Sequence, residues 1–182
     1  MKIIKCLGTA VIVLLICILL SNTGHDDETV PIQRPYTVEI PKIEPYVYTY
    51  YDVPLTKEQQ REIQIIALEN NVPYEIVLGV MYTESNFRAD AIGDSGASVG
   101  IMQIQPYWHS GRMEQLGVTD LTDLVQNATV GIDILAEKLE KYGNVEKALV
   151  VYNMGDSGAK GICSTKYSQK VLRYADELIG VD

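Results

Sequence analysis

A mainly α-helical domain over residues 55–182 is what the sequence predicts, on three observations. From Leu55 onward apolar residues recur three and four positions apart, the spacing that gathers them on one face of a helix. Helix-starting and helix-stopping residues punctuate these runs. No segment sustains the alternation of a half-buried strand, and no internal repeat is visible. With 182 residues, 47% of them hydrophobic, the chain can build one core of ordinary size.

Two further regions precede that domain. Lys2 and Lys5 stand before an uncharged run from Cys6 to Leu20, and Asp26, Asp27 and Glu28 follow it. This is the pattern of a positively charged region and an apolar region, so residues 1–23 read as a signal anchor or signal peptide. The lysines are expected to stay inside and the remainder to be exported. Ser21-Asn22-Thr23 is a poor cleavage site, which favours a retained anchor, and Ile16 before Cys17 argues against lipid attachment. Residues 24–54 carry Pro31, Pro35, Pro41, Pro45 and Pro54, interleaved with five tyrosines. Spaced prolines disfavour helix, so this stretch reads as an extended spacer, its tyrosines either a binding stripe or packed along the domain surface.

Within the domain, Thr56-Lys57-Glu58-Gln59 is a capping-box signature, and Ile63, Ile66 and Leu68 mark the apolar face of a first helix that Asn70-Asn71 ends. Pro73 suits the first turn of a second helix through Ile76, Val77, Val80 and Met81, with Glu84 at its end. Residues 88–100 are rich in Gly, Ser and Asp and read as a loop, and Trp108-His109 as a turn. A long helix is expected over 123–142, stopped by Gly143, another over 145–152, and a last over 166–179.

Composition excludes several functions. From Leu55 to the end 11 Lys and Arg face 18 Asp and Glu, a balance of −7, so nucleic acid is not attracted by the bulk field. Only Cys163 of the three cysteines lies in the domain, and a lone thiol cannot staple it. His25 and His109 are isolated, which leaves neither a zinc ligand cluster nor a base for a cysteine nucleophile.

Glu84 is the residue with chemistry to offer. A carboxyl at the C-terminal end of an apolar helix meets the negative end of the helix dipole, and burial further disfavours its charge. Both raise its pKa, and a carboxylic acid protonated near neutrality can donate a proton to a glycosidic oxygen.

Glu84-Ser85 is followed by Gly100-Ile101-Met102-Gln103-Ile104-Gln105-Pro106 and then by Tyr152-Asn153-Met154-Gly155. In that order these stretches resemble the motifs of the soluble lytic transglycosylase family, within the lysozyme-like superfamily, over residues 55–182. The resemblance implies a goose-type lysozyme/lytic transglycosylase fold and Glu84 as the sole catalytic acid/base. It implies substrate-side roles for Ser85, Gly100, Met102, Gln103, Tyr152, Asn153 and Tyr167. Ser85 would fix the helix end, Gly100 would let backbone approach a sugar, and Met102 would form an apolar platform. Gln103 would hydrogen-bond an N-acetyl group or Glu84. Tyr152 and Asn153 would reach the same cleft, Tyr152 to orient an acetamido group or the Glu84 carboxyl, and Tyr167 matches a late family tyrosine. Val151 departs from the family's usual alanine.

The implied reaction cleaves the β-1,4 bond between N-acetylmuramic acid and N-acetylglucosamine in peptidoglycan and leaves a 1,6-anhydro ring, with no metal or cofactor. The implied partners are glycan strands, the membrane through the N-terminal segment, and cell-envelope machinery, with the enzyme outside the cytoplasm at the cell surface. Three alternatives stay open: lysozyme-type hydrolysis, for which Asp90, Asp94 and Asp156 could position water; a non-catalytic wall-binding module; and a preference for N-acetylglucosamine polymers.

Overall fold

Thr56 starts the first helix as its sequence signature requires: its hydroxyl accepts from Gln59 N (3.2 Å), and Gln59 Oε1 accepts from Thr56 N (2.9 Å). In the computed structural model, which describes residues 46–180, this opens α1 (Lys57–Glu69). The segment read as an anchor and most of the spacer lie outside the described residues. Among the described residues no helix is long and apolar enough to cross a membrane.

The buried stripe of α1 is Gln60, Ile63, Gln64 and Ala67. Leu68, expected on the apolar face, is 53% exposed, because it stands one residue past that stripe, about 100° around the helix. The two buried glutamines hold backbone that the sequence assigned to the spacer. Gln64 Oε1 accepts from Thr49 N (2.9 Å) and its amide donates to Thr49 O (2.6 Å). Gln60 does the same for Tyr51 (2.9 and 3.0 Å) and also donates to Leu55 O (3.2 Å). Tyr51 stacks on Tyr74 and donates to Glu75 Oε1 (2.6 Å). Residues 49–54 therefore belong to the domain, a correction to the expected boundary at residue 54.

Pro73 stands just before α2 (Tyr74–Ser85) without a side-chain cap; α2 buries Ile76, Val77, Leu78, Val80 and Met81 and is apolar almost all round, as a central helix must be. The loop expected over 88–100 contains a minimal hairpin, β1 (Ile92–Gly93) paired antiparallel with β2 (Ser98–Val99), closed by a 3₁₀ turn at Asp94–Gly96. The turn expected at Trp108-His109 is instead a helix, α3 (Pro106–Leu116), with Pro106 at its first position. None of its residues is buried, so it carries no apolar stripe to read.

Asp123 caps α4 (Leu124–Tyr142), and Gly143 ends it. Asn144 caps α5 (Val145–Gly158), which runs past the expected end at Tyr152 but breaks at Gly155 (φ 69°, ψ 165°), leaving a short final turn. Thr165 caps α6 (Lys166–Ile179). α2 lies most extensively on α6. At their crossing a Cβ on Gly79 would stand 2.7 Å from Val171 O, so only glycine admits this approach. That closeness sets the distance between the ends of α2 and α6, where the site is found.

Candidate active site

Glu84 stands in the last turn of α2 and opens on a cleft of about 860 Å³ walled by the hairpin, α3, α4 and α5. Its Oε1 accepts a 2.6 Å hydrogen bond from the Tyr167 hydroxyl of α6. Burial pushes its carboxyl up to about 7; the Tyr167 hydrogen bond and Lys170 pull it down, and the charge of Asp94 pushes it up. The result is an acid that still holds its proton near neutral pH. Tyr167 does not line the cleft. Burial, with the neighbouring Glu84 and Tyr152, raises its phenol well above the ordinary value, so it stays a donor.

The remaining motif residues divide into cleft wall and support. Ser85 is support: its buried hydroxyl donates to Ile101 O (2.8 Å) and Met81 O (3.2 Å) and accepts from Arg88 N (3.1 Å). It ties the end of α2 to the 100–103 turn and has no face toward a ligand. Gly100 (φ 81°) is also support, because a Cβ there would stand 2.1 Å from Asn127 Nδ2 and 2.3 Å from Leu121 O. The close approach it permits is by α4, not by a sugar. Met102, expected as a platform, is fully buried against Gly131 of α4. Gln103 lines the cleft, but its amide donates to Gly100 O (2.8 Å) and Ala91 O (3.1 Å) rather than to Glu84.

Tyr152 lines the cleft from α5 and donates to Met102 O (2.9 Å), so the tyrosine that bonds Glu84 is Tyr167 instead. Burial and the Glu84 charge raise the Tyr152 phenol well above its ordinary value. Asn153 lines the cleft exposed, with no hydrogen bond among the described residues, and is free to meet a ligand. The break at Gly155 turns Met154 to Ser157 into the same wall.

Of the three aspartates weighed for water positioning, Asp94 and Asp156 line the cleft and Asp90 does not. Asp94 Oδ2 accepts from Ser98 Oγ (2.6 Å) and Gln105 Nε2 (3.1 Å). Asp156 is occupied by Lys141, Tyr142 (2.6 Å) and Lys138 (3.1 Å), which in that order hold its carboxyl well below the usual range. His109 is half-buried in α3 and lines the cleft, and burial lowers its pKa, with Arg112 and Lys138 adding to that. Among the described residues no group of three or more His, Cys, Asp or Glu side chains is arranged to hold a metal ion.

Sequence reasoning missed Asn127. Fully buried on α4, it donates to Val99 O and Leu121 O (2.8 Å each) and accepts from Met102 N (2.9 Å). It is the clamp that holds the 99–103 turn beneath Glu84. The only signal was one polar residue inside an apolar stripe. Asn127→Ala is expected to lower unfolding free energy by about 3 kcal/mol, since two buried backbone groups and one part-buried one lose their partner; urea denaturation checks this, and a loss under about 1 kcal/mol refutes the clamp. Tyr167→Phe removes a bond that favours the charged carboxylate. The alkaline limb of kcat/KM should then move to higher pH, whereas a move to lower pH would contradict the assignment.

Three likenesses bear on this geometry. Over 111 residues the chain is 35% identical to the transglycosylase of Enterobacteria phage PRD1, covering 60% of this chain and 40% of that protein. Over 100 residues it is 30% identical to the membrane-bound lytic murein transglycosylase F of Desulfosudis oleivorans, covering 51% of this chain and 21% of that one. The chain thus spans less than half the length of the curated relatives it matches. The X-ray structure of an inactive mutant of lytic transglycosylase Slt from Pseudomonas aeruginosa superposes with a TM-score of 0.57 at 18% identity, covering 70% of this chain and 25% of that one, and shows the shared fold. The family model for the transglycosylase SLT domain matches residues 61–172, a span that takes in Glu84, the 100–103 turn, Tyr152 and Tyr167, and the chain belongs to that family.

Proposed function

We propose that the protein is a peptidoglycan lytic transglycosylase in which Glu84 is the one acid/base. The observation that carries the reading is a half-buried carboxyl raised to about 7, held by Tyr167 and open to a cleft wide enough for sugars. Glu84 gives its proton to the glycosidic oxygen as the C1–O bond breaks. The acetamido oxygen of the muramic residue bonds C1 and bears the developing cation, so the substrate supplies the group that a second carboxylate supplies elsewhere. Glu84, now ionised, takes the C6 hydroxyl proton while O6 attacks C1, releases the acetamido oxygen and closes the 1,6-anhydro ring. Water is neither used nor produced.

A second reading has a specific observation in its favour. Asp94 lines the same cleft, fixed by Ser98 and Gln105, and could position a hydrolytic water. Mass analysis of muropeptides from digested sacculi separates the two. The expected product has an anhydro end, one water lighter than the reducing end that hydrolysis leaves. Wild-type protein that binds sacculi and releases nothing refutes both in favour of a wall-binding module, and faster digestion of chitin than of sacculi refutes the muramic specificity.

The N-terminal pattern of lysines, apolar run and acidic cluster supports placement outside the cytoplasm, with residues 1–23 as anchor or signal.

A further inference from the structure

The chain contains a single tryptophan, and Trp108 is 72% exposed. It stands on α3, which buries none of its residues, so the ring is not there to hold the fold. Tyr107, 81% exposed, meets it edge-on, with centroids 4.7 Å apart at 86°. An indole left in water forgoes the burial that its size would reward, and two adjacent exposed rings form a patch that calls for an occupant.

The position says which occupant. Trp108 lines the same cleft as Glu84, with His109 and Gln105 beside it. The His109 side chain makes no hydrogen bond among the described residues, and burial lowers its pKa, which favours an uncharged imidazole able to donate or accept. A pyranose ring has an apolar C–H face and a rim of hydroxyl and acetamido groups. A flat ring braced by a second one and edged by an imidazole is complementary to both.

We propose that Trp108, braced by Tyr107, is a stacking platform for an N-acetylated hexosamine ring of the glycan strand lying in this cleft. The inference rests on reading the cleft as a glycan site. It assigns strand binding to α3 and leaves the chemistry to the end of α2. Trp108 is then a residue whose removal weakens ground-state and transition-state binding alike.

Because no other tryptophan is present, the emission of the full chain in mild detergent reports on this ring alone. The probe is glycan strands freed of stem peptides. A saturable shift of emission to shorter wavelength is expected as they bind. Trp108→Ala should raise KM for the same strands about tenfold, equivalent to about 1.4 kcal/mol, with kcat within about twofold. Trp108→Tyr should restore most of the loss, and the thermal melt of both variants should match the wild type. Emission unchanged at saturating strands, or an Ala variant with wild-type KM, overturns the platform; if the wild type still cleaves, the role of Glu84 stands. An emission shift from a wild type that does not cleave keeps the platform and refutes the proposed reaction. A fall in kcat that Tyr does not rescue overturns the platform as well.

Discussion

Glu84→Gln is expected to lower the rate of glycan cleavage by about 10³-fold or more, with the variant still folded. Gln is nearly isosteric, and its carbonyl oxygen can accept from the Tyr167 hydroxyl as Oε1 does now. What it lacks is the proton. Two steps of the proposed reaction need a proton at that one site: donation to the leaving oxygen, then recovery from the C6 hydroxyl. A single substitution disables both, and among the described residues no second acid is hydrogen-bonded to Tyr167 to take over. In the wild type, kcat/KM should fall as pH rises through about 7, where the carboxyl ionises. Release of anhydro-muropeptides from sacculi, followed by mass analysis, measures the loss. A Gln variant with even a tenth of wild-type activity would refute the assignment.

The same substitution should make the protein more stable at alkaline pH, by about 3 kcal/mol at pH 8. The sign follows from where the proton is held. Glu84 has a pKa of about 7 when folded against its usual 4.5, so between those values the folded state binds more protons than the unfolded one. Its contribution to stability is fully present below 4.5 and is lost as pH rises through 7. Gln keeps the neutral form at every pH. The gain should therefore be near zero at pH 4, grow from pH 5 to 7, and level off. Urea denaturation of both proteins at pH 4 and pH 8 gives the difference directly. A pH-independent difference would mean that Glu84 is not a sheltered acid. The proposed acid role and stability are opposed here, as expected of a carboxyl held where its charge is disfavoured.

Helices with a buried stripe and a cap were legible in the sequence. Thr56, Asp123 and Thr165 cap where their residue types indicate, and α1, α4 and α6 follow within a residue of the expected bounds. α3 was not legible, because a helix that buries nothing shows no periodicity. The end of α5 was missed because Gly155 interrupts the helix without ending it. The hairpin has two residues per strand, too few for alternation to register.

The site divides along the same line. Of the motif residues, Gln103 and Tyr152 line the cleft with Glu84 and Tyr167 bonds the Glu84 carboxyl, while Ser85, Gly100 and Met102 do not line it. Motif spacing could not say which way each one faces. Met102 is adjacent to Gln103 in the chain, yet one is sealed against α4 and the other walls the cleft. That choice is made by Asn127, 25 residues from Met102, whose bonds fix the turn. Contacts at that separation leave no local pattern, so the supporting network was not legible in the sequence.

The paired bonds from Gln60 and Gln64 to Thr49 and Tyr51 bear on how the protein can be handled. An expression fragment trimmed to residue 55 would remove the Thr49 and Tyr51 partners of two buried amides, leaving Gln60 only Leu55 O and the Tyr74 hydroxyl and Gln64 only Gln60 O. Recombinant fragments of the helical domain should start at or before residue 46, and limited proteolysis from the N-terminal side should stall there rather than at Pro54.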